Sequence, residues 1–243
     1  MKPTVILILI LFSFTAFAQL PINLDQWRSE AKNNKRLLPK YGYQPKSNEE
    51  IYADKEFVKS TMQQSEFNGD RTKASDHLIK LGFNYLSTGD IKNAMYRFNQ
   101  AYLLDSNNTD IYWGYGAVYM TLGDINEGKR LYEEGLSINP SNTHILTDLG
   151  TYYLGRYYKL EEGGIEKYSA QVQLDSALVF LNKSYVLNAK DFNTTFKLSI
   201  CYWKKGDCTN AWKFYDECAA IDKERIPLDY KSDLSKQCKR KKK

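Results

Sequence analysis

The sequence has few of the residues from which catalytic and metal sites are built. Only two histidines occur in 243 residues, His77 and His144, and neither has a Cys, Asp or Glu neighbour at metal-ligand spacing. The sequence also lacks a glycine-rich phosphate loop, a nucleophile elbow and a serine–histidine–aspartate order. We therefore expect no catalytic residue, no metal and no cofactor, and the chain is not predicted to be an enzyme.

Net positive charge is confined to the two ends of the chain. The net charge is +5, but five Lys or Arg residues lie within the last seven, Gln237 to Lys243, and without these and Lys2 the net charge is −1. A phosphate-binding face needs cations clustered on the fold, so no nucleic-acid partner is predicted. Six prolines and 14 glycines also exclude collagen-like and low-complexity chains.

Long hydrophobic runs are absent after the amino terminus. Thirteen almost wholly apolar residues, Val5 to Phe17, follow Lys2 and end in Ala16-Phe17-Ala18. At ~1.5 Å per residue this stretch covers about 20 Å, short of the roughly 30 Å hydrocarbon core. The small residues at its end favour a secretory leader over residues 1–18, cut after Ala18, and hence a secreted or periplasmic protein in an oxidising compartment.

A repeat is the strongest pattern in the chain. Gly82, Gly116 and Gly150 are 34 residues apart, each in a similar phrase: Leu81-Gly82-Phe83, Tyr115-Gly116-Ala117 and Leu149-Gly150-Thr151. Two helices can cross closely only where one of them offers no large side chain, so we interpret these positions as helix crossings. The small residues expected at the crossings are Gly82, Gly116, Gly150, Ser199, Ala94, Ala101, Gly128, Gly135, Ala177 and Ala211.

Together these residues resemble the tetratricopeptide repeat family, and a secreted member from a bacterium is expected. Four units cover residues 75–108, 109–142, 143–191 and 192–225, the third with a fifteen-residue insertion. The resemblance implies an all-α, right-handed superhelical solenoid of antiparallel helix pairs. Residues 19–74 are predicted to form an N-terminal helical cap and linker, residues 226–238 a capping helix, and residues 239–243 a basic tail.

The insertion equals about four helical turns, which adds two turns to each helix of the third unit without changing their register. A protruding helical hairpin is the preferred interpretation, with Ile165, Tyr168 and Val172 starting its second helix; a disordered loop around Gly163-Gly164 is the alternative. In the N-terminal region, Ser47 and Glu50 predict a capping box that opens a helix to about Glu66, with Ile51 among its inward residues. A shorter helix is predicted within Leu24 to Leu38.

All four cysteines lie in the last 43 residues, which favours disulfides over zinc in an oxidising compartment. Helix geometry in the last unit favours a bridge between Cys208 and Cys238, because an antiparallel capping helix would return Cys238 to the turn that holds Cys208. Cys201 and Cys218 either pair with one another or remain buried thiols.

The resemblance further implies a concave face lined by the first helix of each unit. Its candidate ligand-groove residues are Ile79, Phe83, Leu86, Trp113, Met120, His144, Phe196, Ile200 and Trp203. We expect a non-enzymatic scaffold or adaptor that binds another protein as a peptide or helix in this groove. An alternative is that the protein's own N-terminal segment fills it.

The residues that hold a C-terminal carboxylate in co-chaperones of the family are replaced here by residues such as Ile79, Phe83 and Asp148. The expected ligand is therefore apolar or mixed rather than an acidic tail. A second hypothesis assigns the protein to the envelope as a spacer, with the basic tail making weak contacts to an anionic membrane or a surface glycan.

Overall fold

The computed structural model describes residues 22–164 and 167–240. The predicted leader, Ile165 and the last three lysines lie outside these ranges. Within them every helix is too short or too polar to cross a lipid bilayer.

The described residues form helices and turns and no strand, which confirms the predicted all-α class. Helices α3 to α10 form four antiparallel pairs, preceded by α1 and α2 and followed by α11. The helices are α1 Leu24–Ala31, α2 Asn48–Met62, α3 Arg71–Ser87, α4 Ile91–Leu104, α5 Asp110–Thr121, α6 Ile125–Ile138, α7 Thr143–Glu162, α8 Lys167–Leu187, α9 Phe192–Lys205, α10 Cys208–Asp222 and α11 Tyr230–Gln237. Short 3-10 turns occupy Lys35–Leu37, Pro39–Tyr43 and Lys223–Arg225.

A Gly-Asp pair makes the turn inside three of the four helix pairs. Gly89, Gly123 and Gly206 adopt left-handed backbone angles, with φ between 81° and 84°, which only glycine reaches without strain. The aspartate that follows each glycine caps the next helix by accepting a hydrogen bond from a backbone N–H of its first turn. Such a cap stabilises a helix by roughly 1 kcal/mol.

The repeated glycines lie where the two helices of a pair touch. A Cβ atom on Gly82 would lie 2.5 Å from the Phe98 ring, and one on Gly116 would lie 2.2 Å from the Tyr132 ring. The same atom on Gly150 would lie 2.5 Å from Leu181. The crossing hypothesis therefore holds at all three positions.

The small residues on the second helices are buried: Ala94, Ala101, Gly128, Gly135, Ala177 and Ala211. In the fourth pair Ser199, on the first helix α9, takes the place of the repeated glycine. It is also buried, and its hydroxyl donates a hydrogen bond to the Ala211 carbonyl of α10, 2.8 Å away. Gly114 is not one of the glycines of the repeat, but a Cβ atom on it would lie 2.3 Å from the Phe98 ring of the preceding pair.

The third pair is extended as the hairpin hypothesis predicts. Helix α7 has 20 residues and α8 has 21, against 14 in α4 and in α6. Tyr157, on the added part of α7, is buried against Leu174 and Cys201, whereas Tyr168 at the start of α8 is exposed.

The first part of the N-terminal segment follows the outer side of the solenoid. Residues 22–46, which we call the strap, run over the outer surface of the second helices. The Asn99 amide on α4 donates to the carbonyl oxygens of Arg36 and Leu38, at 2.8 and 3.0 Å, and Arg28 pairs with Asp124 at 2.6 Å. The helix predicted within Leu24 to Leu38 is α1, which ends at Ala31.

Helix α2 has the predicted capping box between Ser47 and Glu50 but ends at Met62 rather than Glu66. The backbone turns left-handed at Asn68 and Gly69, which seats Phe67 in the core before α3 begins. Ile51, expected to face inward, is 40% exposed, since α2 touches α3 and α4 chiefly through its last two turns.

The carboxyl end closes the stack. The predicted bridge between Cys208 and Cys238 is formed, with a Cα–Cα distance of 5.2 Å. Tyr230 and Leu234 of α11 are buried, and the Trp212 indole N–H donates to the Cys238 carbonyl at 2.8 Å.

Cys201 and Cys218 are free and buried, so the second of the two alternatives for them holds. Burial raises the pKa of Cys201 to about 12 and that of Cys218 to about 11. Both thiols therefore stay protonated and unreactive at neutral pH.

Candidate functional site

Three aromatic rings form a continuous ladder along the first helices of the first three pairs. The Phe83 ring centre on α3 lies 3.9 Å from that of Trp113 on α5. On its other side Trp113 stacks on His144 of α7, at 4.3 Å and an interplanar angle of 15°. Phe83 and Trp113 are half-buried and His144 is exposed, so the ladder has one face open to solvent.

The central ring is held by a hydrogen bond below the surface. The Trp113 indole N–H donates to the Asp148 carboxylate at 2.8 Å, and the Tyr132 hydroxyl donates to the same oxygen at 3.2 Å. Burial raises the pKa of Asp148, although the two hydrogen bonds oppose the shift. Because the tryptophan is anchored at its polar edge, a ligand meets an ordered ring.

A hydrogen bond between a histidine and an aspartate fixes the end of the ladder. His144 Nδ1 lies 3.1 Å from the Asp110 carboxylate, which also accepts a hydrogen bond from the Asn142 amide at 2.8 Å. The hydrogen bond to Asp110 raises the pKa of His144 against the opposing effect of burial. Burial would raise the pKa of Asp110, but the hydrogen bonds from His144 and Asn142 lower it overall.

Two clefts open along this face, each with a volume of about 410 Å³. The first lies beside the ladder and is lined by Asp76, Ile79, Lys80, Phe83, Asn84, Asp110, Trp113 and His144. The second continues along α7 and is lined by Met120, Ile125, Tyr132, Asp148, Thr151, Tyr152, Gly155, Arg156 and Lys159. Together they offer separate places for several side chains of one extended or helical segment.

A larger cleft of about 640 Å³ lies elsewhere, between the strap and the α5–α6 turn. Both arginines of its rim are already paired, Arg28 with Asp124 and Arg130 with Glu127. We therefore place the candidate site on the first-helix face, where the aromatic rings are open, despite the smaller volumes there.

Residues 109–142, the second helix pair, match the family model of the tetratricopeptide repeat. The fold is a tetratricopeptide-repeat solenoid. Proteins with this fold generally mediate protein–protein interactions and are generally not enzymes.

Solved structures are similar to this chain over 67–73% of its length. TTC0263, a thermophilic tetratricopeptide-repeat protein of Thermus thermophilus, is 15% identical with a TM-score of 0.53, over 67% of this chain and 80% of that one. YrrB, described as a TPR protein with an unusual peptide-binding site, is 22% identical with a TM-score of 0.44, over 70% and 80% of the two chains. MamA is 14% identical with a TM-score of 0.45, over 73% and 96%. No curated protein sequence matches the chain.

The structure divides the nine predicted groove residues of the solenoid into three sets. Phe83, Trp113 and His144 form the ladder, and Met120 lines the second cleft. Ile79 is a buried core residue at the floor of the first cleft, while Leu86 and Ile200 are half-buried against the core.

The other two, Phe196 and Trp203, pack edge-on against Tyr230 of α11, with ring centres 4.9 and 5.6 Å away. The last tetratricopeptide-repeat unit is therefore covered by the capping helix. The open part of the concave face belongs to the first three units.

Lys197, on the first helix α9, is a polar residue that the sequence analysis did not single out. It is half-buried, and its ammonium makes no ion pair or hydrogen bond with any described residue. Burial lowers its pKa, while the charges of Asp148 and Asp191 oppose the shift. It directly follows the predicted groove residue Phe196 on a first helix. This position is the only feature of the sequence that could have indicated Lys197.

A side-chain hydrogen bond joins the two ends of a unit, and the sequence analysis did not predict it. We call this hydrogen bond the clasp. Asn108 donates to Asp76 at 2.7 Å and Asn142 donates to Asp110 at 2.8 Å, each pair separated by 32 residues. In the fourth unit Arg225 donates to Asn193 at 2.9 Å with the same separation. An Asn precedes the second and the third unit in the sequence, and the clasp keeps the acidic rim of the groove in place.

Proposed function

We propose that this chain is a non-enzymatic adaptor of the periplasm or extracellular space that binds a peptide or helical segment of another protein in its concave groove. The observation that carries the proposal is the ordered ladder of Phe83, Trp113 and His144, open to solvent and flanked by two clefts. Aromatic anchors in ordered pockets account for much of the binding energy of many interfaces.

The polar groups around the ladder favour a partner of mixed character. Asp76 and Asp110 are engaged in the clasps, so they form a fixed acidic rim rather than free charges. Lys197, by contrast, has an ammonium group that no described residue pairs. An apolar side chain against Trp113 and a carbonyl or carboxylate oxygen near Lys197 would satisfy both features.

The arrangement of the strap supports an open groove. The described part of the N-terminal segment contacts α3, α4, α5, α6 and the α5–α6 turn, and its ion pairs with the solenoid include those to Asp124 and Glu134 on the outer side. Phe83 and Trp113 contact no residue of the segment among their ring pairs. This distribution favours a foreign partner over the protein's own N-terminal segment as the occupant of the groove.

The basic tail is the basis of a second candidate function. In this alternative the protein is an envelope spacer, and the cations of its tail contact an anionic membrane or glycan. Within the described part of the tail, Arg240 pairs with Asp216 and lies 4.9 Å above the Trp212 ring. Lys239 is exposed and has no ion pair among the described residues. This partial engagement favours the groove over the tail.

The test selects peptides from a display library on the chain that begins at Gln19, and then measures their affinities by fluorescence polarisation. We expect Phe83→Ala and His144→Ala to weaken binding about tenfold or more, a loss of roughly 1.4 kcal/mol each. Tyr52→Ala, an exposed aromatic on α2, is the matched control. Peptides that bind all four proteins equally well would refute the groove proposal.

The spacer alternative is tested separately with vesicles of anionic lipid. It requires that deletion of residues 239–243 abolishes vesicle binding while peptide affinity is unchanged. The proposed location is tested by mass spectrometry of the protein recovered from its host, which should begin at Gln19.

A further inference from the structure

The outer surface of α8 carries an apolar stripe. Tyr168, Val172, Val179 and Val186 are 75%, 43%, 66% and 83% exposed. The buried side chains of this helix, among them Leu174 and Leu181, lie on the opposite side. The stripe belongs to a second helix of the solenoid, so it is separate from the groove.

The spacing of the stripe is that of a helix–helix seam. Val172, Val179 and Val186 are seven residues apart, so their directions around the helix differ by only about 20° per step. β-Branched residues at exposed helix positions cost helix propensity and leave apolar area in water. A partner helix would bury all three in one straight line.

The charges beside the stripe are complementary to those of a second, antiparallel copy. If two α8 helices cross at Val179, Val172 lies opposite Val186 of the other copy, and Asp175 lies opposite Lys183. Both charged residues are exposed, and within the chain Asp175 is paired only with the exposed Lys205 among the described residues. A parallel pair would instead set Asp175 against Asp175 and Lys183 against Lys183, which is repulsive.

We infer that α8 joins two copies of this chain in an antiparallel helix pair with its two-fold axis at Val179. The fifteen-residue insertion lengthens α8 to 21 residues, about 30 Å, and brings Tyr168 and Val172 into the seam. A seam of one helix from each copy buries a small area, so the dimer is weak, with a dissociation constant in the micromolar range. Both grooves stay open in such a dimer.

The first test is sedimentation velocity of the chain that begins at Gln19 over a concentration series. We expect a monomer–dimer equilibrium that Val179→Asp weakens at least about tenfold, because the axis places the two new carboxylates side by side. Tyr52→Asp, at a helix position that is also 66% exposed, is the matched control and should not change the equilibrium. Far-UV circular dichroism checks that both variants fold.

The second test determines the orientation by cysteine cross-linking. Cys201 and Cys218 are buried and Cys208 is bonded to Cys238, so an introduced thiol is the one exposed cysteine among the described residues. Val179→Cys should form a linked dimer under mild oxidation. Val172→Cys and Val186→Cys should link when mixed but not alone, since 14 residues of helix separate like positions by about 21 Å.

Three results would overturn the inference: a chain that stays monomeric up to its solubility limit, a dimer unaffected by Val179→Asp, or efficient linking of Val172→Cys to itself. None of these results bears on the groove, because the peptide affinities are measured on the opposite face. Failure of the dimer and failure of the proposed function are therefore distinguishable.

Discussion

Two glycines five residues apart on α7 provide a direct test of the crossing geometry. A Cβ atom on Gly150 would lie 2.5 Å from Cγ and 2.7 Å from Cδ2 of Leu181, whereas one on Gly155 would meet nothing within 4 Å. Both positions are helical, so both gain the same helix propensity when glycine becomes alanine. Their difference isolates the cost of the contact.

The expected effects have opposite signs. Gly155→Ala should stabilise the fold by about 0.5–1 kcal/mol, since alanine in a helix interior is favoured over glycine by roughly that amount. Gly150→Ala gains the same but overpacks the core, which costs typically about 1–3 kcal/mol and more where the neighbour cannot move. Leu181 is fully buried. We therefore expect a net loss of about 1–2 kcal/mol for Gly150→Ala.

The assay is urea unfolding followed by circular dichroism, with the disulfide intact. Thermal unfolding should agree, with a rise of about 2–4 °C for Gly155→Ala and a fall of a similar size or larger for Gly150→Ala. In a double-mutant cycle, Leu181→Ala should make room for the new methyl group, so the double variant should be more stable than the sum of the single effects. Equal stabilisation by the two alanine substitutions would show that the helices do not cross tightly at Gly150 and would refute the crossing hypothesis.

Two further predictions concern the ends of the solenoid and the ladder. Cys208→Ser should destabilise the C-terminal cap by roughly 3–4 kcal/mol, the value for a closed loop of about 30 residues, and hydrogen exchange should show α11 opening first while the groove stays protected. His144 should titrate above 6.5 by NMR, and Asp110→Asn should bring its pKa back towards that value. Because the folded pKa of His144 is raised and that of Asp110 is lowered, the pair stabilises the fold most between about pH 4 and 6.5. Its contribution fades as the pH rises through the pKa of His144, and it is below about 1 kcal/mol because His144 is half exposed.

The fold could be predicted from the sequence because one physical requirement recurs at a fixed interval. Each pair of helices needs a position without a side chain where it crosses, and Gly82, Gly116 and Gly150 mark those positions. The insertion was predictable for a related reason, since fifteen residues preserve the register of the crossing and α7 and α8 could lengthen together.

The site was predicted only in part because helix phase gives the direction of a side chain but not what lies over it. Phe196 and Trp203 point as expected from their positions, but Tyr230 arrives from a segment outside the repeat and covers them. Lys197 was missed because the sequence does not show which residues surround it. Only the structure shows that no described residue pairs with its ammonium group.

The strap was beyond prediction because its shape is fixed by contacts with residues far along the chain. Lys40, Tyr41, Gly42 and Tyr43 all have positive φ, and each non-glycine residue in that region costs about 1 kcal/mol or more. The contacts that offset this cost join residues far apart in the chain, so the sequence alone does not show them. The Lys40 ammonium donates to Tyr43 at 2.6 Å and to Glu134 at 2.5 Å, and it lies 4.4 Å above the Tyr112 ring.

This anchoring links the strap to the groove. The Lys40 backbone N–H donates to the Tyr115 hydroxyl at 3.2 Å, and Tyr115 donates to Asn99 at 2.7 Å, so the strap closes a buried network between the first and second units. Those two units carry Phe83 and Trp113 on their other side. Since two neighbouring helix pairs of a solenoid are held by their shared interface alone, a clamp across their outer face fixes the angle between them. It thereby fixes the 3.9 Å spacing of the two rings on the inner face, and the strained turn at Lys40 is the cost of that rigidity.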